Sequence, residues 1–361
     1  MESPSIVCID DEPAVLNALK RLLRQNHRDW EVYLFTSAVE ALVRISELKP
    51  WIILTERNLP DIEPERLQEA LIESAPTAIR AILTGDRRRE TLLASAWQAH
   101  FVIRKPFDRE VLENLMTRAR ILNQLPLEQD TRVQLGQLRA LPVLPDIYHA
   151  LTAALEKDEP DIKEVANLIT HDQILVSRVL QLVNSPFFGF GSRTNDIEVA
   201  VMRLGLQTIQ SLVLVLELYR GDQPSVQRIA DMLLHEALKL ATQVGLVCDS
   251  QGLTKNLRSQ CVVSALLHNI GQLVNARHLL EEAPRSLGKE ELLREYELIG
   301  AYLLELWGFE AEIIDAVRHQ LDDPLADDSE PVTEVLNLAL RMLQGRYEEP
   351  DQPSEQGCAE Q

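Results

Sequence analysis

The sequence contains few cysteines and few aromatic residues. Only 4 of its 361 residues are cysteine, and no CxxC spacing occurs among Cys8, Cys248, Cys261 and Cys358. This scatter argues against a disulfide framework or a structural zinc site and is typical of a protein of the reducing cytosol. The first residues show no basic segment followed by an apolar core, so we expect no signal peptide and a cytoplasmic location.

Basic charge and long apolar runs are also lacking. Lys and Arg number 36 against 56 Asp and Glu, which gives a formal net charge of −20. Because phosphate contacts need a basic surface, the charge argues against nucleic-acid binding as the main task. The longest apolar run, around Leu212–Leu216, is far shorter than the roughly 20 residues that span a bilayer, so we expect no membrane insertion. The apolar fraction of 45% excludes general disorder, and the length predicts about two domains.

The first third of the chain alternates two patterns. Short apolar segments predict five strands, at residues 5–9, 32–35, 51–54, 79–83 and 101–103. Helical periodicity separates them, and Asp108 has the position of an N-cap for a helix over 109–123. Apolar strands separated by helices predict an α/β doubly wound, flavodoxin-like fold with a five-stranded parallel sheet. The functional edge of such a sheet lies at the carboxyl ends of its strands.

Polar residues follow four of these predicted strands. They are Asp10, Asp11, Glu56, Thr84 and Lys105. Two carboxylates on one loop can hold a hard divalent cation such as Mg²⁺. A hydroxyl and an ammonium group opposite them can hold the oxygens of a phosphoryl group. The set therefore predicts a phosphate-handling pocket at one edge of the sheet.

The ordered set, with LTGD (83–86) and KPF (105–107), resembles the receiver domain of two-component response regulators over about residues 4–123. The resemblance implies that Asp10 and Asp11 bind Mg²⁺ and that Thr84 and Lys105 contact the phosphoryl group. It also implies a phosphorylated aspartate four residues before Pro60, where this chain has Glu56. We assign residues 1–124 to this receiver-like domain.

The substitution at Glu56 leaves three interpretations open. The longer side chain carries its carboxylate toward Lys105 and Thr84, which would bias the domain toward an active-like arrangement without phosphorylation. The pocket would otherwise be a decayed one, retained for folding and dimerisation. Residual phosphorylation on Glu56 or Asp61 is the third interpretation.

The remaining two thirds show only helical periodicity, which predicts an all-α bundle. Over about residues 131–345 this region resembles the HDOD domain, the HD-related output domain of bacterial signalling proteins. The resemblance rests on four segments in the family's order, namely LPVLPDI (141–147), ANLITHDQILVSRVLQLVNSPFFG (166–189), ALLHNIGQL (265–273) and AVRHQ (316–320). We expect a helical linker at 125–140 and an HDOD domain at 141–345. This domain divides into an N-terminal bundle (about 141–221) and a degenerate HD-like half (about 222–345). Residues 346–361 are acidic and non-periodic, and we expect them to be a disordered tail.

The resemblance also locates a degenerate HD metal site. His235, His268 and His319 stand at histidine positions of the HD phosphohydrolases, whereas Asn269, Tyr296 and Gln320 replace further ligands. Metal sites of this type need anionic or imidazole ligands in full number. We therefore expect no catalytic residues, no enzymatic activity and no cofactor beyond Mg²⁺ in the receiver pocket. The three histidines would otherwise be ordinary core residues.

Three shorter motifs have structural explanations. His171-Asp172 is the only His-Asp dipeptide in the sequence, and we interpret it as an exposed histidine beside a carboxylate at the start of a helix. Asn184-Ser185 indicates the end of a helix. Arg87–Arg89 indicates either a solvated helix face or a contact surface for an acidic partner.

Three functions remain as hypotheses. The first is a non-enzymatic signalling adaptor, the second a metal-dependent phosphohydrolase or cyclic-nucleotide phosphodiesterase, and the third a nucleic-acid regulator. We favour the first. The resemblance implies other signalling proteins as partners, namely a sensor kinase or cyclic-di-GMP enzymes, and it implies a homodimer.

Overall fold

A computed structural model describes most of the chain. The described residues are 3–26, 29–85, 99–107, 109–137, 146–155, 157, 159–183, 193–219, 224–282 and 295–345. Several sequence predictions lie outside them, namely the Asp108 N-cap, Arg87–Arg89, Asn184-Ser185 and the tail at 346–361.

The first unit is a five-stranded parallel sheet in the order β2–β1–β3–β4–β5, which confirms the predicted doubly wound fold. Its strands are β1 (Ser5–Ile9), β2 (Glu31–Phe35), β3 (Ile52–Glu56), β4 (Ile79–Thr84) and β5 (Phe101–Arg104). Alternate residues of β1 enter two different cores, Ile6 and Cys8 on one face and Val7 and Ile9 on the other. Both faces of the sheet are therefore covered, which explains why its strands are continuously apolar.

Helices cover this sheet in the positions that the periodicity predicts. They are α1 (Pro13–Asn26), α2 (Ala38–Leu48), α3 (Pro64–Ser74) and α4 (Arg109–Gln124). The Ser37 side chain caps α2 by accepting a hydrogen bond from the Glu40 N–H at 3.1 Å. Pro64 begins α3, where its missing N–H leaves no hydrogen bond unmade.

The rest of the described chain is helical, as predicted. Its helices are α5 (Gln129–Gln137), α6 (Asp146–Leu155), α7 (Ile162–Thr170), α8 (Gln173–Val183), α9 (Ile197–Leu204), α10 (Leu206–Leu218), α11 (Pro224–Ser250), α12 (Lys255–Leu267), α13 (Ile270–Glu282), α14 (Tyr296–Trp307), α15 (Ala311–His319) and α16 (Pro331–Leu343). The helical periodicity of residues 256–277 predicts a single helix there. This prediction is wrong, because a turn at His268 and Asn269 separates α12 from α13. Asp172 accepts a hydrogen bond from the Leu175 N–H at 3.1 Å at the start of α8, and His171 is exposed, as the sequence predicts.

No single helix among the described residues is both long enough and apolar enough to cross a bilayer. One pair of helices, 197–204 and 208–218, has the length and apolar composition when taken together, but the pair is sharply bent.

Helix α5 lies in the segment predicted as the linker and packs against the receiver. An added Cβ on Gly136 would lie only 1.8 Å from the Pro76 carbonyl oxygen, so the close approach of α5 requires glycine there. Arg132 of α5 donates hydrogen bonds to the carbonyl oxygens of Leu122, at 2.6 Å, and of Leu125. These bonds satisfy backbone acceptors where α4 ends, and they fix α5 relative to the receiver.

The receiver also contacts the HDOD-like region through one ion pair. Arg118 Nη1 of α4 lies 3.1 Å from Glu305 Oε1 and 2.9 Å from the Glu305 carbonyl oxygen on α14. The Glu305 side chain is only 8% exposed. Burial raises the pKa of Glu305, while the charge of Arg118 acts in the opposite direction.

We expect replacement of Arg118 by alanine to lower the free energy of unfolding by about 2 kcal/mol, since it leaves a buried carboxylate without its cation. The matched control is Arg109→Ala on the same helix, whose ion pair with Glu113 is exposed (side chains 46% and 38% exposed). That change should cost about 0.5 kcal/mol or less. Thermal unfolding of the full chain measures both, and equal losses would contradict the contribution assigned to the Arg118–Glu305 pair.

Candidate functional site

The receiver pocket brings four of the five predicted residues to the carboxyl ends of the strands. Lys105 Nζ lies 2.7 Å from Asp10 Oδ2 and forms a second ion pair with Glu56 Oε2. The Asp10 side chain is 1% exposed, that of Glu56 14% and that of Lys105 20%. Thr84, at the end of β4, is buried. Lys105 therefore bridges the two carboxylates directly.

The remaining oxygens of the two bridged carboxylates accept backbone hydrogen bonds. Asp10 Oδ1 accepts from the Glu12 N–H, and Glu56 Oε1 accepts from the Arg57 N–H, each at 3.0 Å. Burial alone would lower the pKa of Lys105, but its hydrogen bonds and ion pairs with Asp10 and Glu56 outweigh this and raise it. The ammonium group is therefore held charged inside the pocket.

The predicted Mg²⁺ ligands differ in their surroundings. Asp10 is fully buried and its oxygens face Lys105 and a backbone N–H, whereas Asp11 is exposed. A Mg²⁺ ion at Asp10 would have to displace the Lys105 ammonium group from Asp10 Oδ2. The acidic pair has the oxygen chemistry that Mg²⁺ prefers, so Mg²⁺ binding stays a prediction.

Asp61, the alternative phosphorylation site, takes part in helix capping. Its Oδ2 accepts hydrogen bonds from Ser37 Oγ at 2.7 Å and from the Val39 N–H at 3.1 Å at the start of α2. Burial would raise the pKa of Asp61, but these hydrogen bonds outweigh it and lower the pKa. This arrangement gives Asp61 a structural role at α2.

The degenerate HD region centres on Asn269, between α12 and α13. Asn269 is fully buried, its Oδ1 accepts a hydrogen bond from the Tyr219 hydroxyl, and its Nδ2 donates to the Leu233 carbonyl oxygen at 2.9 Å. Both ends of the amide are thus engaged with protein groups. Sequence reasoning missed Tyr219, whose only signal is its position at the end of an apolar helix of the N-terminal bundle.

The neighbouring His268 is buried and neutral. Its Nδ1 donates to the Ala265 carbonyl oxygen at 2.8 Å, one turn back along α12. Burial lowers the pKa of His268 to about 4. The imidazole therefore belongs to the helical core.

Gln320 takes a backbone-capping role. Its Nε2 donates to the carbonyl oxygens of His268, at 2.9 Å, and Val317, at 2.8 Å. The backbone carbonyl oxygen of Gln320 accepts a hydrogen bond from Asn337 Nδ2 at 3.0 Å. An amide suits this position because a carboxylate could not donate to either carbonyl.

The other predicted members of the HD site differ in their surroundings. His235 is exposed on α11, and His319 is 40% exposed and bonded to Asp322 at 2.7 Å. Tyr296 is buried at the start of α14, which raises the pKa of its hydroxyl. Across the described ranges, no group of three or more His, Cys, Asp or Glu side chains is arranged to hold a metal ion. Of the three histidines, His268 lies in the core, while His235 and His319 reach the surface.

A cleft of about 180 Å³ opens elsewhere on the helical region. Tyr148 and Phe309 stack in it with ring centroids 6.4 Å apart, and its polar lining consists of hydroxyl and amide side chains with Glu310. Glu310 Oε2 already accepts a hydrogen bond from Gln260 Nε2 at 2.7 Å. This lining suits non-covalent contact and offers no histidine or cysteine for catalysis.

Comparison with known proteins agrees with this two-part arrangement. The response regulator receiver domain matches residues 6–117, and the HDOD domain matches residues 141–322, half of the chain. An uncharacterized protein of Treponema pallidum (strain Nichols) is 28% identical in an alignment of 227 residues that covers 57% of this chain and 43% of that protein. The chain thus spans less than half the length of this relative.

Two solved structures share features of the fold. One is from Shewanella amazonensis SB2B and is provisionally named a metal-dependent phosphohydrolase. It is 22% identical, has a TM-score of 0.49, and the match covers 65% of this chain and 84% of that one. The other, provisionally named a signal transduction protein, is from Marinobacter aquaeolei VT8, with 17% identity, a TM-score of 0.43 and coverage of 92% and 78%.

A receiver domain followed by an HDOD domain is the arrangement of a signal-transduction protein. The chain belongs to the HDOD domain family and carries a response regulator receiver domain at its N-terminal end.

Proposed function

We propose that this protein is a non-enzymatic signalling adaptor of the cytoplasm. Its degenerate receiver provides the input, and its HDOD domain binds a partner protein as the output. The observation that carries the proposal is the state of the buried Asn269. Its side-chain amide accepts a hydrogen bond from the Tyr219 hydroxyl and donates one to the Leu233 carbonyl oxygen. A residue in this state contributes neither charge nor a free oxygen to a metal ion.

The surroundings of Asn269 support the same proposal. The His268 imidazole donates a hydrogen bond to a backbone carbonyl oxygen. The Gln320 side chain donates to the backbone carbonyl oxygens of His268 and Val317. A hydrolase of this type needs a metal-bound water whose pKa is lowered by the ion. The side chains present here stabilise the bundle instead, so the HD-like half would act as a scaffold for a binding surface.

The receiver pocket supports a phosphorylation-independent input. Lys105 is already paired with Glu56, so the carboxylate occupies the contact that a phosphoryl group would make. Because Glu56 brings about one negative charge where phosphate brings nearly two, the mimicry is partial. By analogy with the family, we propose sensor kinases or cyclic-di-GMP enzymes as partners and a homodimer as the assembly.

The experiment that tests the adaptor proposal uses the full chain. It is titrated with Mn²⁺ and Fe²⁺ by calorimetry and assayed for hydrolysis of cyclic-di-GMP, with His268→Ala as a matched variant. We expect no stoichiometric binding that His268→Ala removes, and no turnover. Stoichiometric metal together with turnover that His268→Ala abolishes would show that the protein is a diverged hydrolase.

A second prediction concerns the acceptor position. Glu56→Asp shortens the side chain by one methylene, about 1.5 Å, and restores the geometry needed for in-line phosphoryl transfer. With acetyl phosphate and Mg²⁺, the variant should gain an acyl phosphate detectable by intact mass, while the native chain and Glu56→Gln stay unlabelled. Stoichiometric labelling of the native chain would contradict the degenerate receiver.

A further inference from the structure

The cleft on the HDOD domain lies where the two halves of the domain meet. Tyr148 and Gln210 line it from the N-terminal bundle. Phe309 and Glu310 line it from the HD-like half. Helix α12 adds four residues that share one of its faces, namely Asn256, Ser259, Gln260 and Val263. At about 180 Å³ the cleft is smaller than the roughly 300–1,000 Å³ of most small-molecule sites, which favours a single side chain as its occupant.

The turn that carries Phe309 and Glu310 is fixed by its own backbone. Gly308 ends α14 in the left-handed conformation, at a φ of 82°, which glycine adopts without strain. The Phe309 N–H donates to the Leu304 carbonyl oxygen at 3.0 Å. The Phe309 ring lies nearly parallel to the Tyr148 ring, at an interplanar angle of 21°. The two rings thus form an aromatic wall that is in place before any ligand enters.

The polar side of the cleft offers hydrogen-bond acceptors and one negative charge. Gln260 Nε2 donates to Glu310 Oε2 at 2.7 Å, which holds the carboxylate in place and leaves Oε1 to a ligand. Gln210 Nε2 donates to the Thr152 hydroxyl at 2.7 Å, which leaves the Gln210 side-chain oxygen as an acceptor. Among the described residues, no Lys, Arg or His lines the cleft. The lining therefore disfavours ligands that carry phosphate or carboxylate and favours a cation that donates hydrogen bonds.

The cations near the cleft do not change this balance. Arg118 of the receiver approaches Gly308, since its Nη2 would lie 3.5 Å from an added Cβ, but its charge is compensated by Glu305 at 3.1 Å. Lys255 and Arg258 belong to α12 but lie outside the face that lines the cleft. The net charge of −20 acts in the same direction as Glu310 at longer range and would attract a basic partner surface.

We propose that this cleft receives one arginine side chain of a partner protein. A guanidinium group is planar, so it can stack on the ring of Tyr148 or Phe309. Its N–H groups only donate, which matches the acceptors of the cleft, and one edge of the group can donate to the Glu310 carboxylate. Lysine has the charge without the flat face, and citrulline has the shape of arginine without the charge.

The inference rests on the adaptor proposal, because it names the side chain through which the partner would bind the HDOD domain. The two can fail separately. Metal binding with turnover would overturn the adaptor proposal whatever binds in the cleft, whereas a cleft that does not select arginine leaves the metal and turnover results unchanged.

The test titrates the full chain with capped tripeptides, acetyl-Gly-X-Gly-amide, in which X is arginine, lysine or citrulline. Saturation-transfer NMR at low ionic strength measures the binding. We expect the arginine peptide to bind in the millimolar range, and the lysine and citrulline peptides to bind at least about fivefold more weakly. Added NaCl should weaken the binding of the arginine peptide, because Glu310 is exposed to solvent.

Three variants locate the binding. Glu310→Gln keeps an oxygen for the hydrogen bond from Gln260 but removes the charge, and it should weaken the binding of the arginine peptide about fivefold. Tyr148→Leu removes one ring and should weaken the binding by a similar factor. The control is Glu312→Gln, which removes the same charge outside the lining and should leave the binding unchanged. Melting temperatures close to that of the native chain show that the variants fold.

Four results would overturn the proposal. The arginine peptide would fail to bind, or it would bind no better than the citrulline peptide. Glu310→Gln and Glu312→Gln would weaken the binding equally, which would assign it to long-range charge. Guanosine, a planar and uncharged probe, would bind more tightly than the arginine peptide, which would assign the cleft to a nucleobase.

Discussion

Replacing Gly271 by alanine is expected to destabilise the HDOD domain by about 3 kcal/mol or more. An added Cβ would lie 2.0 Å from the Tyr296 carbonyl oxygen and 2.7 Å from its carbonyl carbon. Both neighbours are backbone atoms, so no side-chain rotation relieves the clash, and α13 and α14 would have to separate. Overpacking of this kind typically costs about 1–3 kcal/mol and occasionally more.

The matched control is Gly245→Ala, in the middle of α11. Its added Cβ would lie 3.5 Å from Arg258 Nη2, an ordinary contact. Because alanine favours helix over glycine, this variant should gain about 0.5–1 kcal/mol. Thermal unfolding of the full chain by circular dichroism compares the two. A Gly271→Ala protein as stable as the native one would show that the α13–α14 contact is looser than the structure describes.

The fold followed from sequence because its signals are local. The strands are short apolar segments separated by helical periodicity, and the positions of Asp10, Glu56 and Lys105 follow directly from where those strands end. The same reasoning did not predict the end of a helix at His268 and Asn269, because the helical periodicity of residues 256–277 continues through that point. The interruption of the helix coincides with tertiary hydrogen bonds. The bonds of Asn269 to Tyr219 and Leu233 connect positions 50 and 36 residues apart along the chain.

Lowering the pH from 7 to 5 is expected to remove about 2 kcal/mol of stability through His268 alone. Its pKa is about 4 in the folded chain because burial disfavours the charged form, against 6.5 for an ordinary histidine. The unfolded chain therefore binds a proton that the folded chain does not, and stability falls as the pH drops from 6.5 toward 4. The full difference across this window is about 3 kcal/mol. His100, whose pKa burial and Arg80 hold well below its usual range, adds a loss of the same sign.

Unfolding free energies measured between pH 7 and pH 5 separate the two histidines. His268→Asn replaces the imidazole by a side chain that does not titrate, and its amide can still donate to the Ala265 carbonyl oxygen. It should lose the part of the pH dependence due to His268, about 2 kcal/mol between pH 7 and pH 5, and keep the part due to His100. The control is His235→Asn, at an exposed position on α11, which should keep the full pH dependence of the native chain. The slope rather than the absolute stability is compared, because any change in packing shifts all pH values together. If the slope of the unfolding free energy against pH is unchanged in His268→Asn, the imidazole is not buried in its neutral form. That result would contradict the core role assigned to His268, which stands at a histidine position of the HD site.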